Sequence, residues 1–257
     1  METITLASGH SIPIFGLGTW ALRGEACKIA VKIALELGYT HIDTAWMYGN
    51  QSEIGEAIRE IGLDRAALFI TSKIWHTHLR YNEVLAQFNE CLDQLQMDYV
   101  DLLLIHHPNE SVPLQETMDA FNKIHDAGQA KNIGISNFSI RQTDEARQVS
   151  QAPIVTNQVE YHVRNRDEAL LAHCTKHQVV VTAHRPLAGG AIVQDRTLQD
   201  IGVKHRKTAA QVALRWLIQQ RIITIPKSGS EAHLKENLDV FDWELTPEDM
   251  GQIDKMS

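Results

Sequence analysis

The chain has no basic run longer than His205-Arg206-Lys207, and its acidic residues outnumber Lys plus Arg by 32 to 24, a net charge of −8. A protein that grips a phosphate backbone shows a basic stripe, so nucleic acid is excluded as the main partner. No apolar stretch approaches the ~20 residues of a spanning helix, so no membrane partner is expected. Cysteine is scarce: Cys27, Cys91 and Cys174 lie far apart, and no C-x-x-C occurs. That excludes a disulfide framework and zinc-finger spacing, and fits a reducing compartment. The first residues lack a basic region followed by an apolar one, so no signal peptide is read and the cytoplasm is expected. Low-complexity tracts and Pro/Gly/Ser-rich linkers are missing too. With 257 residues of even composition, the chain is long enough to bury a core without staples, and 1–257 reads as one domain.

What is present is a rhythm. Short β-branched apolar runs fall at residues 12–17, 41–45, 68–74, 100–106, 131–135, 154–160, 179–183 and 222–225. Most are nearly continuous, as parallel strands buried on both faces require. Amphipathic helical stretches separate them at 26–37, 52–61, 82–95, 114–127, 139–149, 167–177 and 209–220. Gly38, Gly62 and Gly128 stand where left-handed caps are wanted, and Ser139 and Asp167 where N-caps are. Eight such units predict a closed (β/α)8 TIM barrel, with an open doubly wound sheet as the rival. A β-hairpin is expected over residues 3–12, and extra helices over 231–238 and 247–255.

Gly16-Leu17-Gly18-Thr19-Trp20-Ala21 matches a dinucleotide fingerprint, but a lone match is weak and Trp20 is bulky where a pyrophosphate would approach. In a barrel the same glycines form a loop at the mouth of strand one. The mouth is where barrel chemistry sits, so the polar residues ending each strand form the candidate set. They are Asp43 and Tyr48, Lys73, His106, Ser136 and Asn137, Asn157, Gln158 and Glu160, His184 and Arg185, and Lys227 and Ser228. A phenol is a poor acid at neutral pH, and an adjacent ammonium lowers its pKa. A carboxylate keeps that ammonium charged and oriented. An imidazole beside the phenol can bond a carbonyl oxygen and stabilise developing charge. Such a group suits protonation of an alkoxide during carbonyl reduction, with hydride supplied by a cofactor.

These segments resemble the aldo-keto reductase superfamily. The matches are Gly16–Trp20, Ile42-Asp43-Thr44-Ala45, Tyr48-Gly49-Asn50, Thr71-Ser72-Lys73, Leu104-Ile105-His106, Ile133–Phe138, Asn157–His162 and Ile225-Pro226-Lys227-Ser228. They run nearly end to end, in order, and look most like bacterial 2,5-diketo-D-gluconate and methylglyoxal reductases. The resemblance implies NAD(P)H-dependent reduction of small aldehydes and ketones, with transfer of the pro-R hydride. It implies Tyr48 as general acid, tuned by Lys73 and Asp43, with His106 orienting the carbonyl. Thr19, Trp20 and Asp43, together with Ser136, Asn137 and Gln158, would meet the nicotinamide end of the cofactor. His184, Arg185, Pro186 and Leu187 would follow along it. Lys227, Ser228 and Gly229 would meet the 2′-phosphate of NADPH, and His233, Glu236 and Asn237 the adenine end. Trp20, Trp46, Tyr48, His106 and His107 would line the substrate pocket. A cytoplasmic monomer is expected.

The chain departs from the family pattern in four places. His184 stands in place of an aromatic that stacks on nicotinamide. His233 stands where NADPH-preferring members carry Arg, which predicts a weaker preference for NADPH over NADH. His107 replaces a common Trp and makes a pocket wall more polar. The chain stops soon after its last helix, so an open, promiscuous site is expected. Other readings are weighed as well. Lys73 alone could be an aldolase Schiff-base amine, but that leaves Tyr48 and Lys227-Ser228 unexplained. His106 alone could be a core histidine. Among the 13 histidines, His76-Thr77-His78 and His106-His107 suggest a metallohydrolase, but no organised ligand set follows and no metal is expected. Trp216 and Leu217 read as core, and Cys174 as structural. A second function class is a cofactor-binding, redox-sensing subunit with negligible turnover.

Overall fold

The computed structural model describes residues 2–256. Two short strands, β1 (Thr3–Thr5) and β2 (Ser11–Pro13), pair antiparallel as the expected hairpin. The eight remaining strands pair in chain order as one parallel sheet. They are β3 (Leu17–Gly18), β4 (His41–Asp43), β5 (Phe69–Ile74), β6 (Leu102–Ile105), β7 (Ile133–Ser136), β8 (Ile154–Glu160), β9 (Val180–His184) and β10 (Ile223–Thr224). The sheet curls until its edges meet. Phe15 bridges Thr224, and the amides of Gly16, Gly18 and Thr224 donate to Thr224, Pro226 and Ile14 carbonyls at 3.0, 3.2 and 2.9 Å. This seam turns an open sheet into a (β/α)8 barrel and excludes the doubly wound alternative.

Gly18 has a clear reason at the seam. A Cβ there would lie 2.5 Å from the carbonyl oxygen of Ile225. The glycine is thus required by close backbone approach across the barrel edge. The segment 12–17, read as one strand, divides instead: Ser11–Pro13 belongs to the hairpin and only Leu17–Gly18 to the barrel.

Helices cover the outside, each following its strand: α1 (Gly24–Glu36), α2 (Gln51–Ile61), α3 (Tyr81–Leu95), α4 (Leu114–Asp126), α5 (Ile140–Val149) and α6 (Glu168–Lys176). Ser139 Oγ accepts from the Gln142 amide and Asp167 from the Leu170 amide, so both expected N-caps form. Gly38, Gly62 and Gly128 all take left-handed φ just past helix ends. One helix was not expected, α7 (Arg196–His205), started by Asp195 accepting from the amides of Thr197 and Leu198. After it come α8 (Ala209–Gln219), α9 (Glu231–Leu238) and α10 (Pro247–Ile253). No helix among the described residues is long and apolar enough to cross a membrane. The core fills the barrel and the space beneath the helices. Its largest fully buried side chain, Trp216, stacks on Tyr161 with ring centroids 6.1 Å apart. All three cysteines are buried, and burial pushes Cys174 up to about 11 and Cys27 and Cys91 to about 12, so none is an activated thiolate.

Candidate active site

The C-terminal ends of the strands open into a cavity of about 1060 Å3. At its base, β4 delivers Asp43 and β5 delivers Lys73. The Lys73 side chain is fully buried. Its Nζ donates to Asp43 Oδ1 at 2.5 Å, to the Thr44 carbonyl at 2.8 Å and to the Tyr48 hydroxyl at 3.4 Å. The second carboxylate oxygen of Asp43 accepts from Gln158 Nε2 at 2.7 Å. Tyr48 arrives on a single 3-10 turn (Trp46–Tyr48) ended by left-handed Gly49. Asn50 secures that loop. It accepts from Thr44 Oγ1 at 2.9 Å and donates to the Thr19 and Leu22 carbonyls at 2.9 and 3.0 Å.

Electrostatics at the base run partly against expectation. Burial opposes the charge on Lys73, yet Asp43 and Tyr48 outweigh it and its pKa is raised, so it stays an ammonium. The downward pull of Lys73 on the Tyr48 phenol is present. Burial exceeds it, and Asp43 adds to the rise, so Tyr48 stands above its ordinary value rather than below. Burial strips most solvent from the phenol, so the phenolate is the costlier form. Tyr48 therefore keeps its proton across the neutral range.

Beside Tyr48 the wall is imidazole and indole. The His106 ring lies 5.6 Å from that of Tyr48, and Trp20 packs edge-on to Tyr48 at 5.2 Å. His106 stacks on His107 with centroids 5.1 Å apart. Burial first, then Lys73 and the neighbouring rings, drives His106 to about 2, so it is neutral at working pH. Its Nδ1 is buried without a partner among the described residues.

The next strands build a linked set. Ser136 Oγ donates to the Gln158 carbonyl at 2.8 Å, and Asn137 Nδ2 to the His106 carbonyl at 3.0 Å. Asn137 Oδ1 then faces His184 Nε2 at 3.1 Å, which makes Nε2 the protonated ring nitrogen. Burial, then Lys73 and His107, hold His184 at about 3. Arg185 takes a left-handed φ of 50° and pairs with Glu160 at 3.5 Å. From there the cavity runs past Pro186 and Leu187 to Lys227, Ser228, His233, Glu236 and Asn237.

The aldo/keto reductase family model matches residues 15–257. The chain belongs to the aldo/keto reductase family. It is 38% identical over 257 residues to the glyoxal reductase of Bacillus subtilis, covering 100% of this chain and 93% of that protein. A crystal structure of an aldo/keto reductase from Brucella melitensis superposes with a TM-score of 0.95 at 39% identity, covering 100% of this chain and 99% of the other. A putative 2,5-diketo-D-gluconic acid reductase B matches with a TM-score of 0.93 at 41% identity, over 98% of this chain and 89% of its own. Enzymes of this family act on carbonyl groups with NAD(P)H.

The residues present fit such a cofactor. The cavity is lined by Asp43, Tyr48 and His106 and also by the exposed Lys227. The first residues of α8, Ala209 and Ala210, line it as well. A helix N-terminus and a lysine lining one cavity suit a phosphate-bearing ligand.

The cavity gathers most of the expected aldo/keto reductase site, with three exceptions. Lys73 lies beneath the surface, bonded to Asp43 and Tyr48. Gly229 is outside the lining. Trp46 is outside it too, its Nε1 donating to Glu90 at 2.7 Å and its ring against His78. The structure adds lining residues that were not anticipated: Met47, Gly189, Gly190, Val193, Gln199 and Thr208. Most belong to the segment between β9 and α8, where no strand or helix was expected. The Gly189-Gly190 pair, with left-handed φ of 67° and 95°, was the available signal for a loop crossing the mouth.

Proposed function

We propose that the protein reduces small aldehydes and ketones, α-dicarbonyls and keto-sugars among them, with NADPH as preferred cofactor and Tyr48 as general acid. The observation that carries this is the chain Gln158–Asp43–Lys73–Tyr48 beside neutral His106, in a cavity that Lys227 also lines. Ser136, Asn137 and Gln158 would hold the carboxamide of the nicotinamide, with His184 fixing the Asn137 amide. Lys227 and Ser228 would hold the 2′-phosphate, and His233, Glu236 and Asn237 the adenine. When bound, the cofactor supplies the hydride. The chain's own residues do the rest. His106 donates a hydrogen bond that orients the substrate oxygen and stabilises charge growing on it. Tyr48 gives its proton to that oxygen, and Lys73, kept cationic by Asp43, stabilises the phenolate left behind. His107 makes the substrate wall polar.

His233 is exposed, and as a neutral imidazole it lacks the permanent charge and planar fork of arginine. The preference for NADPH over NADH is therefore narrower than with Arg there. Residues 1–257 act as one domain, a cytoplasmic monomer. The test follows NADPH and NADH absorbance with methylglyoxal and 4-nitrobenzaldehyde, in native protein and Tyr48→Phe. Turnover that disappears in Tyr48→Phe while cofactor binding persists supports the acid role. Tight binding with no native turnover on a wide carbonyl panel favours the cofactor-sensing alternative. His233→Arg should widen the NADPH/NADH ratio of Kd values, and an unchanged ratio refutes that assignment.

A further inference from the structure

We propose that Asp144, His173 and His177 form a binding site for a divalent transition-metal ion of the zinc class, on the outer helical layer between α5 and α6. None of the three lines the active-site cavity. The spacing carries the first half of the argument. The His177 amide donates to the His173 carbonyl at 3.2 Å, so the helical turn continues through both residues. Residues four apart then share one helix face. Their rings lie 4.6 Å apart, tilted by 53°. Asp144 reaches this pair from the neighbouring helix, with Oδ1 2.9 Å from His173 Nε2. One donor atom from each side chain lies within 4.8 Å of both others, and all three residues are half-buried.

A zinc ion with bonds of ~2.0–2.1 Å needs donors roughly 3.3 Å apart at a tetrahedral edge. Small side-chain rotations meet that spacing. The donors also have capacity to spare. The contacts of Asp144 fall on Oδ1, leaving Oδ2 without a hydrogen bond among the described residues. Two imidazoles and one carboxylate select Zn2+, Ni2+ or Cu2+ over Mg2+ or Ca2+, and three protein ligands leave room for water. One group opposes the ion: Arg147 Nη1 lies 3.3 Å from Asp144 Oδ1 and must turn aside. Lys176 is the other nearby cation acting on His177.

The location gives the site a consequence. α5 follows β7, which ends in Ser136, and α6 follows β8, which holds Gln158. An ion here ties together the helices behind two strands of the active-site mouth. Only the folded chain presents the three donors together, so the ion raises folding stability in proportion to its saturation.

Titration calorimetry of untagged protein with ZnCl2, in buffer free of chelators, tests this. One ion per chain should bind, with Mg2+ giving no heat. His173→Ala, His177→Ala and Asp144→Asn should each weaken binding by about tenfold or more. Arg147→Gln should tighten it by up to about fivefold, since it removes a surface cation. Zn2+ should raise Tm in native protein and not in the His173→Ala/His177→Ala double variant. Absence of stoichiometric binding overturns the proposal. So does binding that survives in the double variant, which would put the ion elsewhere, such as the imidazole wall at His76 and His107.

Discussion

Replacing Lys73 by methionine separates the two jobs this lysine does. The side chain is fully buried and gives hydrogen bonds to Asp43, the Thr44 carbonyl and Tyr48. Methionine keeps the volume and loses the charge. Asp43, only 2% exposed, would keep Gln158 as its one side-chain donor. Removing one member of a buried pair costs about 3–5 kcal/mol, because the other charge stays buried and uncompensated. At about 2–4 °C per kcal/mol for a chain of this size, Tm should fall by about 6–20 °C. Removing both charges is far milder, since a buried pair and its neutral replacement differ little in stability. Asp43→Asn/Lys73→Met should therefore regain most of the lost Tm. Reductase activity should not return, because Tyr48 still lacks the ammonium that stabilises its phenolate. Thermal unfolding and NADPH consumption on the single and double variants read both quantities. A Tm within 2 °C of native in Lys73→Met, by the same conversion below about 1 kcal/mol, would refute the pair's structural role. A double variant no more stable than the single one would refute the reasoning about uncompensated charge.

Three further outcomes follow from particular contacts. Gly18→Ala places a Cβ 2.5 Å from the Ile225 carbonyl oxygen, a backbone atom that cannot swing away. Tm should fall by the equivalent of about 1–3 kcal/mol, with weaker NADPH binding because the same seam leads into Lys227; unchanged values for both would exclude a tight seam. Burial lowers His41 to about 4, His106 to about 2 and His184 to about 3. The unfolded chain binds more protons at these rings below pH ~6.5, so stability falls with pH from there, by up to about 1.4 kcal/mol per unit for each ring. A Tm that stays flat between pH 7.5 and 5 would contradict it. Asp249 is buried; burial alone would raise its pKa, but His205, Thr246 and Lys204 hold it well below the usual carboxylate range. Its contribution is complete above pH ~4 and is lost in more acid solution. Asp249→Asn should cost about 1–3 kcal/mol at pH 7, and the gap to native should narrow below about pH 4. A gap that widens instead reverses the assignment.

The barrel was legible because its signal is one-dimensional. The β-branched run at 154–160 and the capped helix opening at Ser139 follow from local chemistry, and both stand where the sequence put them. The unread α7 is a different case. Its cues were present, with Asp195 as a cap and Leu198, Ile201 and Gly202 on one buried face, but the helix is short and follows an irregular loop containing Gly189-Gly190. The split of residues 12–17 between hairpin and barrel had Pro13, which cannot donate to a ladder, as its local cue, while Ile12 and Leu17 are equally apolar. It is decided by which backbone groups face Thr224 across the seam.

The sequence alone determined the types of group at the mouth and the strand that carries each. Asp43, Tyr48, Lys73 and His106 are identified by their order along successive strands, and barrel topology sends strand ends to one face. What only the tertiary structure decided is how those groups act on one another. The fall expected for the Tyr48 pKa became a rise, because desolvation depends on everything packed around the phenol. Trp46, named for the pocket, turned toward Glu90. Arg185 found Glu160, and His184 found Asn137. Distances between residues far apart in the chain set both the sign of a pKa shift and the choice of partner. Those distances exist only once the strands and helices that carry the residues have packed side by side.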